Sequence, residues 1–386
     1  MMKVHANRRE FIQGFGAGLA GLALAPRHVF GAAPPPAPPV AVAKCLEYGP
    51  QVRPTLARLF DQLGGLQRIV RGKTVAVKIN MTGHTNDLVQ GMPIGMTHWV
   101  HPEVIGNTVY LLGQAGARRI ILVESSLSPS HSLQQFMSDA GWNPRDFASA
   151  ATRVDFVDTN YGGPGGTYKR LWVPGGGLLF RAYDLNPVYS DVDVYVSLAK
   201  LKEHATAGVT LSMKNSFGIT PCTMYGDGAG IDKPSDVVKG SRGGTLHDGN
   251  RQPSKTALPE NDPNSPRVPG YRVPRIVADL VHARPIHLAI IDGIHTVAGG
   301  EGPWIPRCRP VHAGVLVAGT NPVTTDAVAS ALMGFDPMAG HGTAPFEKCD
   351  STLKLAEGLG IGTRDLKRIE VIGTPISKAR IDFRRA

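Results

Sequence analysis

The chain has 386 residues, enough for one large α/β domain or two medium ones, and its hydrophobic content of 42% supports a normal core. The formal net charge is +10, but the basic residues are scattered rather than gathered into runs. That distribution argues against a nucleic-acid-binding arm. It suits either an anionic small-molecule ligand or a solvated surface without a partner.

The N-terminal residues predict a twin-arginine export signal. Adjacent Arg8 and Arg9 are followed by a weakly apolar run from Gly14 to Ala25. At about 12 residues this run is too short to span a bilayer as a helix, for which about 20 residues are needed. We therefore predict a signal peptide over residues 1–33, read by the twin-arginine translocase, rather than a buried helix preceded by chance basic residues. The expected protein is periplasmic or secreted, is exported folded, and keeps no stable membrane anchor after cleavage.

Alternating apolar runs and helical patterns follow a Pro-rich linker at residues 34–50, and they predict an α/β domain at residues 51–380. The short links between these patterns favour parallel strands, so we expect a doubly wound, mostly parallel sheet. An irregular stretch rich in Gly and Pro, at about 219–272, is predicted to be a long insertion such as a lid or a binding loop. The strands are predicted at 74–80, 119–124, 193–198, 287–292, 314–319 and 366–372, and the helices at 102–115 and 322–333.

Polar residues collect at the carboxyl ends of these strands, where open α/β sheets bind ligands. Lysines there would attract a carboxylate or a phosphate, a histidine beside them could transfer protons near neutral pH, and a buried lysine with a lowered pKa could act as a base. Each lysine taken singly could also be an unrelated surface residue. We predict catalytic roles for Lys202, His204 and Lys214, and substrate-binding roles for Lys78, Asn80, Lys200, Thr210 and Asn215.

The segment that begins at Thr210 is predicted to be helical. Thr210 and Lys214 are four residues apart, which would place both side chains on one face of the helix. Gly218 follows shortly afterwards and is a suitable residue to end such a helix.

The sequence also offers side chains that could bind a divalent metal, although the cofactor itself stays unknown. Imidazole and carboxylate form a reasonable ligand set, but the spacing matches no tight metal-binding rule, and a lone histidine is more often structural. The four cysteines have no iron–sulfur spacing, and in an oxidising compartment they can form one or two disulfides. The candidate metal ligands are His98, His101, Glu124, Asp292 and Asp326.

Several motifs, in order along the chain, resemble those of the domain-of-unknown-function 362 family. They are Val77-Lys78-Ile79-Asn80, Leu198 to His204, Thr210 to Gly218 (the most specific match), Ile291-Asp292-Gly293 and Thr324 to Ala329. The resemblance covers roughly residues 73–337 and implies a shared α/β domain, but it supplies no reaction. Some relatives in this family add a ferredoxin-like iron–sulfur domain, whereas this chain lacks the cysteine runs for one.

The sequence therefore predicts an exported protein of uncharacterised activity, and the leading hypothesis is an enzyme that acts on a small anionic substrate in a cleft lined by lysine and histidine. Two alternatives stay open. One is a metal- or cofactor-dependent redox protein of the cell envelope. The other is a non-enzymatic solute-binding module, which a positively charged cleft would also suit.

Overall fold

A computed structural model describes residues 37–127 and 132–385 of the chain. The signal peptide predicted for residues 1–33 lies outside the described residues, so it stays a prediction. None of the helices in the two described ranges combines the length and the hydropathy that crossing a bilayer requires.

Short strands and helices alternate along most of the described chain. The strands are β1 (Val40–Lys44), β2 (Thr74–Lys78), β3 (Leu88–Val89), β4 (Met92–Pro93), β5 (Arg119–Glu124), β6 (Val154–Asp158), β7 (Lys169–Trp172), β8 (Ala182–Leu185), β9 (Val194–His204), β10 (Gly208–Thr210), β11 (Leu288–Ala298), β12 (Arg309–Gly319) and β13 (Val371–Gly373). The α-helices are α1 (Val52–Gln62), α2 (Gln67–Val70), α3 (Pro102–Gln114), α4 (Leu133–Asp139), α5 (Pro144–Ala148), α6 (Val188–Asp191), α7 (Ser212–Asn215), α8 (Cys222–Tyr225), α9 (Pro269–Ala283), α10 (Pro322–Leu332), α11 (Thr352–Gly358) and α12 (Ile376–Ala379). Single 3₁₀ turns lie at Ile94–Met96, Pro164–Gly166, Pro174–Gly176, Ser216–Ile219 and Leu366–Arg368, and a π-helical turn at Gly243–His247.

A nine-stranded sheet forms the centre of the fold, in the order β13-β1-β12-β11-β9-β2-β5-β6, with β10 paired to β9. Strand β9 is parallel to both β2 and β11, and the pairs β2–β5 and β5–β6 are parallel as well. Strand β12 runs antiparallel to β1 and β11, and β10 runs antiparallel to β9. The prediction of an α/β fold with a mostly parallel sheet is therefore confirmed.

The central strands are buried on both faces because helices cover each side of the sheet. Along β2, Ala76 belongs to one hydrophobic core, whereas Val75 and Val77 belong to the other. The first core includes apolar residues of α9, α10 and α11, and the second includes those of α1 and α3. This layering explains why the strands are nearly continuous apolar runs in the sequence.

Strand β1 lies within residues 34–50, the segment predicted to be a Pro-rich linker. Val40 and Val42 belong to one hydrophobic core, and Ala41 and Ala43 belong to the other. The strand pairs antiparallel with β12 and parallel with β13. Part of this segment is thus an interior strand of the sheet, and the alternating Val-Ala run was the signal for it.

The predicted elements differ from the observed ones mainly in extent. Strands β9 and β11 continue several residues beyond their predicted ends, as far as His204 and Ala298. The strand predicted at 366–372 is wrong for its first half, because Leu366–Arg368 is a 3₁₀ turn. The predicted insertion at 219–272 is largely irregular, with one short helix and one π-helical turn before α9 begins at Pro269.

Candidate functional site

A cavity of about 320 Å³ lies at the carboxyl ends of β2, β5 and β9. These three strands are parallel and adjacent, so their last side chains meet at one edge of the sheet. The charged residues that line the cavity are Lys78, Lys202, Lys214, Arg242, Glu124 and Glu301. Other lining residues include Asn80, Ser125, His204, Thr210, Asn215, Phe217, His247 and Trp304.

Lys78 and Glu124 form a buried ion pair at the floor of the cavity, with Nζ and Oε1 2.6 Å apart. The Glu124 carboxylate also accepts hydrogen bonds from the backbone N–H groups of Met81, at 2.8 Å, and Ser125, at 2.9 Å. Burial lowers the pKa of Lys78, and the Glu124 charge opposes this effect. A Cβ added to Gly218 would lie 3.0 Å from the Lys78 Nζ atom, so glycine at this position leaves room for the pair.

Asn215 joins the ends of β2 and β9 through its side-chain amide. Its Nδ2 group donates to the Lys78 carbonyl and the Ser197 hydroxyl, each at 3.1 Å. Its Oδ1 atom must therefore face Asn80, which donates through Nδ2 at 3.1 Å. This arrangement leaves the buried Oδ1 atom of Asn80 without a hydrogen-bond partner in the described part of the chain.

Asp326, on α10, holds the beginning of α7 in place. Its Oδ1 atom accepts hydrogen bonds from the backbone N–H and the hydroxyl of Ser212, and its Oδ2 atom accepts one from the Met213 N–H, at 2.9, 2.6 and 2.9 Å. Burial raises the pKa of Asp326 to about 7. This carboxylate positions the segment that carries two cavity residues, Lys214 and Asn215.

The prediction that Thr210 and Lys214 share one helix is wrong. Thr210 ends strand β10, and α7 begins only at Ser212. Asp326 supplies the acceptors that start α7 at this residue. Both Thr210 and Lys214 nevertheless line the cavity. The buried Thr210 hydroxyl has no hydrogen-bond partner among the described residues.

Lys202 and Lys214 are the two lysines of the cavity that have no carboxylate partner at ion-pair distance within the described ranges. The Lys202 ammonium donates to the His98 carbonyl at 2.6 Å, and the Lys214 Nζ atom lies 4.4 Å from the centroid of the Phe217 ring. Burial lowers the pKa of each lysine to about 7, although the negative charge of Glu301 opposes the shift. Near neutral pH both side chains can therefore bind an anion and also exchange a proton.

His204 lies beside these lysines as a neutral imidazole. The backbone N–H of Thr206 donates to its Nδ1 atom at 3.1 Å, so the ring proton of the neutral form is on Nε2. Burial, followed by the charge of Lys214, lowers the pKa of His204 well below its ordinary value. The sequence suggested that His204 transfers protons near pH 7. As a neutral imidazole it is better suited to donate a hydrogen bond to a ligand.

The irregular segment 219–272 contributes lining residues that the sequence analysis did not identify. Arg242 donates through Nε to the Thr220 carbonyl at 2.7 Å, and through Nη2 to the Ser125 hydroxyl. Burial lowers the pKa of His247 to about 3. The arginine and the histidine stand in a Gly-rich stretch without periodicity, so nothing in the sequence indicated their position.

Lys200 lies outside the cavity, although it is two residues before Lys202 on β9. Its Nζ atom is 3.0 Å from Oδ2 of Asp292, and both side chains are completely buried. The Lys200 ammonium also donates to the Tyr48 hydroxyl at 3.0 Å, and Asp292 accepts from the backbone N–H of His101 at 3.0 Å. Both charged side chains thus have their ion-pair and hydrogen-bond partners within the protein. The predicted substrate-binding role of Lys200 therefore has no support in this geometry.

The five candidate metal ligands do not form one site. The Glu124, Asp292 and Asp326 carboxylates accept the hydrogen bonds described above. His101 accepts a hydrogen bond from the Glu103 N–H at 3.1 Å and so caps α3, while His98 Nδ1 contacts the Thr97 hydroxyl. Burial lowers the pKa of His98 to about 2. None of the five belongs to a cluster of three possible metal-binding side chains in the described ranges.

The cysteines form no disulfide. Each of the four lies in the described part of the chain, and each is buried and free. They are Cys45, Cys222, Cys308 and Cys349.

Three comparisons place this chain among known proteins. The model of a family described as "Domain of unknown function (DUF362)" matches residues 75–331. A thylakoid-associated protein of Synechocystis sp. is 25% identical over 171 residues, which are 44% of this chain and 46% of that relative, so the chain spans less than half of the relative's length. A crystal structure of a protein from Thermotoga maritima is similar at 13% identity with a TM-score of 0.32, over 67% of this chain and 52% of that one.

Proposed function

The chain belongs to the domain-of-unknown-function 362 family, whose name assigns no reaction, and we propose from the chemistry of its cavity that it is an enzyme acting on a small anionic compound. The observation that supports this proposal most strongly is the pair of buried lysines with pKa values of about 7, Lys202 and Lys214, in one cavity. Enzymes commonly shift pKa values towards neutrality in this way at groups that transfer protons.

The charge of the cavity favours an anion. Four cationic side chains line it against two carboxylates, and one of these carboxylates, Glu124, is already paired with Lys78. The second, Glu301, accepts hydrogen bonds from the Ala205 N–H at 2.9 Å and the Trp304 indole N–H at 3.0 Å. Cationic groups from β9, α7 and the irregular segment are thus left to bind a carboxylate or a phosphate group.

The size and the polarity of the cavity narrow the range of possible ligands further. A volume of about 320 Å³ lies at the lower end of the range of about 300–1,000 Å³ that is usual for small-molecule sites. Asn80 presents a buried acceptor and Thr210 a buried hydroxyl, both without partners in the described part of the chain. Because buried polar groups are normally hydrogen-bonded, the ligand should carry a hydroxyl or amino group beside its anionic group.

The arrangement can perform acid–base chemistry on such a ligand. Lys202 or Lys214, in its neutral form, would accept a proton from a carbon or oxygen next to the anionic group, and the other lysine, still charged, would stabilise the negative charge that develops. His204 would add a hydrogen bond from Nε2. The apolar side chains of Phe217 and Trp304 would cover the remainder of the ligand.

The proposal is tested by a thermal-shift screen with organic acids, hydroxy acids, amino acids and phosphate esters, followed by calorimetry on each hit. Replacing Lys214 by Met keeps the length of the side chain but removes the charge. We expect anion affinity to fall by about 10- to 100-fold, since hydrogen bonds to charged groups contribute about 1.5–3 kcal/mol. Lys354→Met, at an exposed lysine of α11, is the matched control and should bind normally.

Two results would contradict the proposal. One is that no anion stabilises the protein, and the other is that Lys214→Met binds the ligand as tightly as the unchanged protein. Each compound that binds is also incubated with the protein, and its chemical conversion is followed by NMR. Binding without any conversion would support the alternative of a solute-binding module instead of an enzyme.

We further propose that the protein acts outside the cytoplasm, after export in the folded state by the twin-arginine translocase. The support for this proposal is the order of the N-terminal features, from Arg8-Arg9 through the short apolar run to the small residues. Four buried free cysteines are compatible with this route, because a folded interior protects thiols from oxidants.

A further inference from the structure

Three side chains outside the cavity bring metal-binding atoms together. They are Glu47, which follows β1, His295 on β11 and His312 on β12. One potential ligand atom from each lies within 4.8 Å of the other two. None of the three residues lines the cavity, so the cluster is a separate feature of the molecule.

The sheet itself holds the two histidines in place. His295 and His312 are opposite each other in the antiparallel β11–β12 ladder, and their rings stack with centroids 4.5 Å apart and planes at 16°. The segment that carries Glu47 is bonded to one of these strands, β12, since the Cys45 N–H donates to the Gly314 carbonyl at 2.9 Å. Ligands carried by paired strands need little reordering when a metal binds.

The distances between these atoms suit a tetrahedral metal site. With metal–ligand bonds of about 2.0–2.1 Å, two ligands of a tetrahedral zinc ion lie about 3.4 Å apart. Oε2 of Glu47 is 3.0 Å from Nε2 of His295, and Oε1 of Glu47 is 3.8 Å from Nε2 of His312. Each of these two distances is within about 0.4 Å of that spacing, and the ligand atoms of the two histidines lie within 4.8 Å of each other.

An ion can reach this cluster from the solvent, because its side chains are partly exposed. His295 is 15% exposed, whereas His312 and Glu47 are 46% and 61% exposed. The Nε2 atom of His312 also contacts the Leu46 carbonyl at 2.6 Å. This hydrogen bond requires the proton on Nε2, so metal binding would move that proton to Nδ1 and free the nitrogen.

We propose that Glu47, His295 and His312 form a binding site for a divalent transition metal ion, with Zn²⁺ as the preferred ion. Two imidazoles and one carboxylate are a ligand set that zinc uses when it keeps a further position open for water or another ligand. The ion would also crosslink the segment after β1 to strands β11 and β12.

The test uses the tag-free full chain, stripped with EDTA and dialysed. Calorimetry with Zn²⁺ should show one equivalent bound, and Co²⁺ should give the visible absorption bands of a tetrahedral cobalt–histidine site. We expect Glu47→Gln, His295→Gln and His312→Gln each to weaken Zn²⁺ binding by at least about 10- to 100-fold, the loss already seen when only an outer-shell partner is removed.

The matched control is His341→Gln. His341 also pairs with a carboxylate, Asp350, at 3.1 Å, but among the described residues it belongs to no group of three possible metal ligands. This variant should bind Zn²⁺ like the unchanged protein. The proposal is overturned if the stripped protein binds no Zn²⁺, or if the three cluster variants, folded by circular dichroism, bind as tightly as His341→Gln.

Discussion

Lys202 and Lys214 combine two properties that oppose each other, because their ammonium groups attract an anion while their burial disfavours the charge. The balance lowers the pKa of each to about 7. An unfolded lysine has a pKa of about 10.4, so between these values the unfolded chain binds more protons than the folded one. The contribution of both lysines to the free energy of unfolding therefore rises as the pH increases from about 7 towards about 10.

Anion affinity should have the opposite dependence on pH. Below pH 7 both lysines are charged, and above it they lose their protons, so the dissociation constant should increase by up to about tenfold per pH unit for each lysine that must be charged. Calorimetry between about pH 6 and about pH 9, with a ligand whose own charge is constant there, measures this change. An affinity that is constant over this range would show that neither lysine titrates near neutrality. In Lys214→Met the dependence should be weaker.

Helix α7 is an element that cannot form on its own. It has four residues, far fewer than the about 12 that an isolated helix needs in water. The Asp326 carboxylate satisfies the N–H groups of Ser212 and Met213 at its beginning, and Asn215 ties its end to β2 and β9. The position of Lys214 in the cavity thus depends on contacts with three other elements, α10, β2 and β9.

Replacing Asp326 by Asn should affect both stability and binding. An amide can accept from Ser212, but its NH₂ group would then face the Met213 N–H, which leaves a buried donor unpaired at a cost of about 1–3 kcal/mol. The pKa of Asp326 in the folded protein is raised to about 7. The folded chain therefore binds more protons than the unfolded one between about pH 4 and about pH 7, and the free energy of unfolding falls as the pH rises through this range. Asp326→Asn should lack this part of the pH dependence.

Urea unfolding at several pH values and anion calorimetry measure these effects. Asp336→Asn is a suitable control, because Asp336 is exposed and accepts a hydrogen bond from the Met338 N–H at 2.8 Å. Unchanged stability and anion affinity in Asp326→Asn would show that α7 does not depend on this contact.

At the scale of the whole molecule, the residues that line the candidate site lie at one edge of the sheet. Strands β9, β2 and β5 end there in parallel, and the irregular segment 219–272 adds Arg242 and His247. The sheet is mixed towards its other side, where β12 runs against its neighbours. The residues proposed to bind a metal, Glu47, His295 and His312, belong to that mixed half.

Export should need both arginines of the predicted signal, Arg8 and Arg9. Changing Arg8 and Arg9 together to Lys keeps the charge but removes the pair that the twin-arginine translocase reads. In a bacterial host, most of the protein should then stay in the cytoplasmic fraction with its N-terminal segment uncleaved. Arg27→Lys, outside the pair, should be exported normally. Export of the double variant at the rate of the unchanged chain would contradict the predicted route.

Local patterns determine much of the fold. Strands buried on both faces are continuous apolar runs, as in Thr74–Lys78 and Arg119–Glu124, and helix α3 begins at a proline and ends before a glycine. Polar residues directly after such runs must lie at a sheet edge, so the sequence predicted that Lys78 and Lys202 share a cavity. The strand at Val40–Lys44 was missed because it directly follows a Pro-rich stretch, whose composition is typical of a linker.

Only the tertiary structure decided which polar residues pair with each other and which remain available to a ligand. Lys200 and Lys202 have the same local pattern, yet Asp292 neutralises the charge of the first and Tyr48 accepts a hydrogen bond from it, while the second donates to a carbonyl and lines the cavity. The sequence itself determined the sheet and the edge at which the polar residues collect, because periodicity is local. Charge pairing, burial and the lowered pKa of a lysine depend on neighbours far apart along the chain, and these are set only when the chain folds.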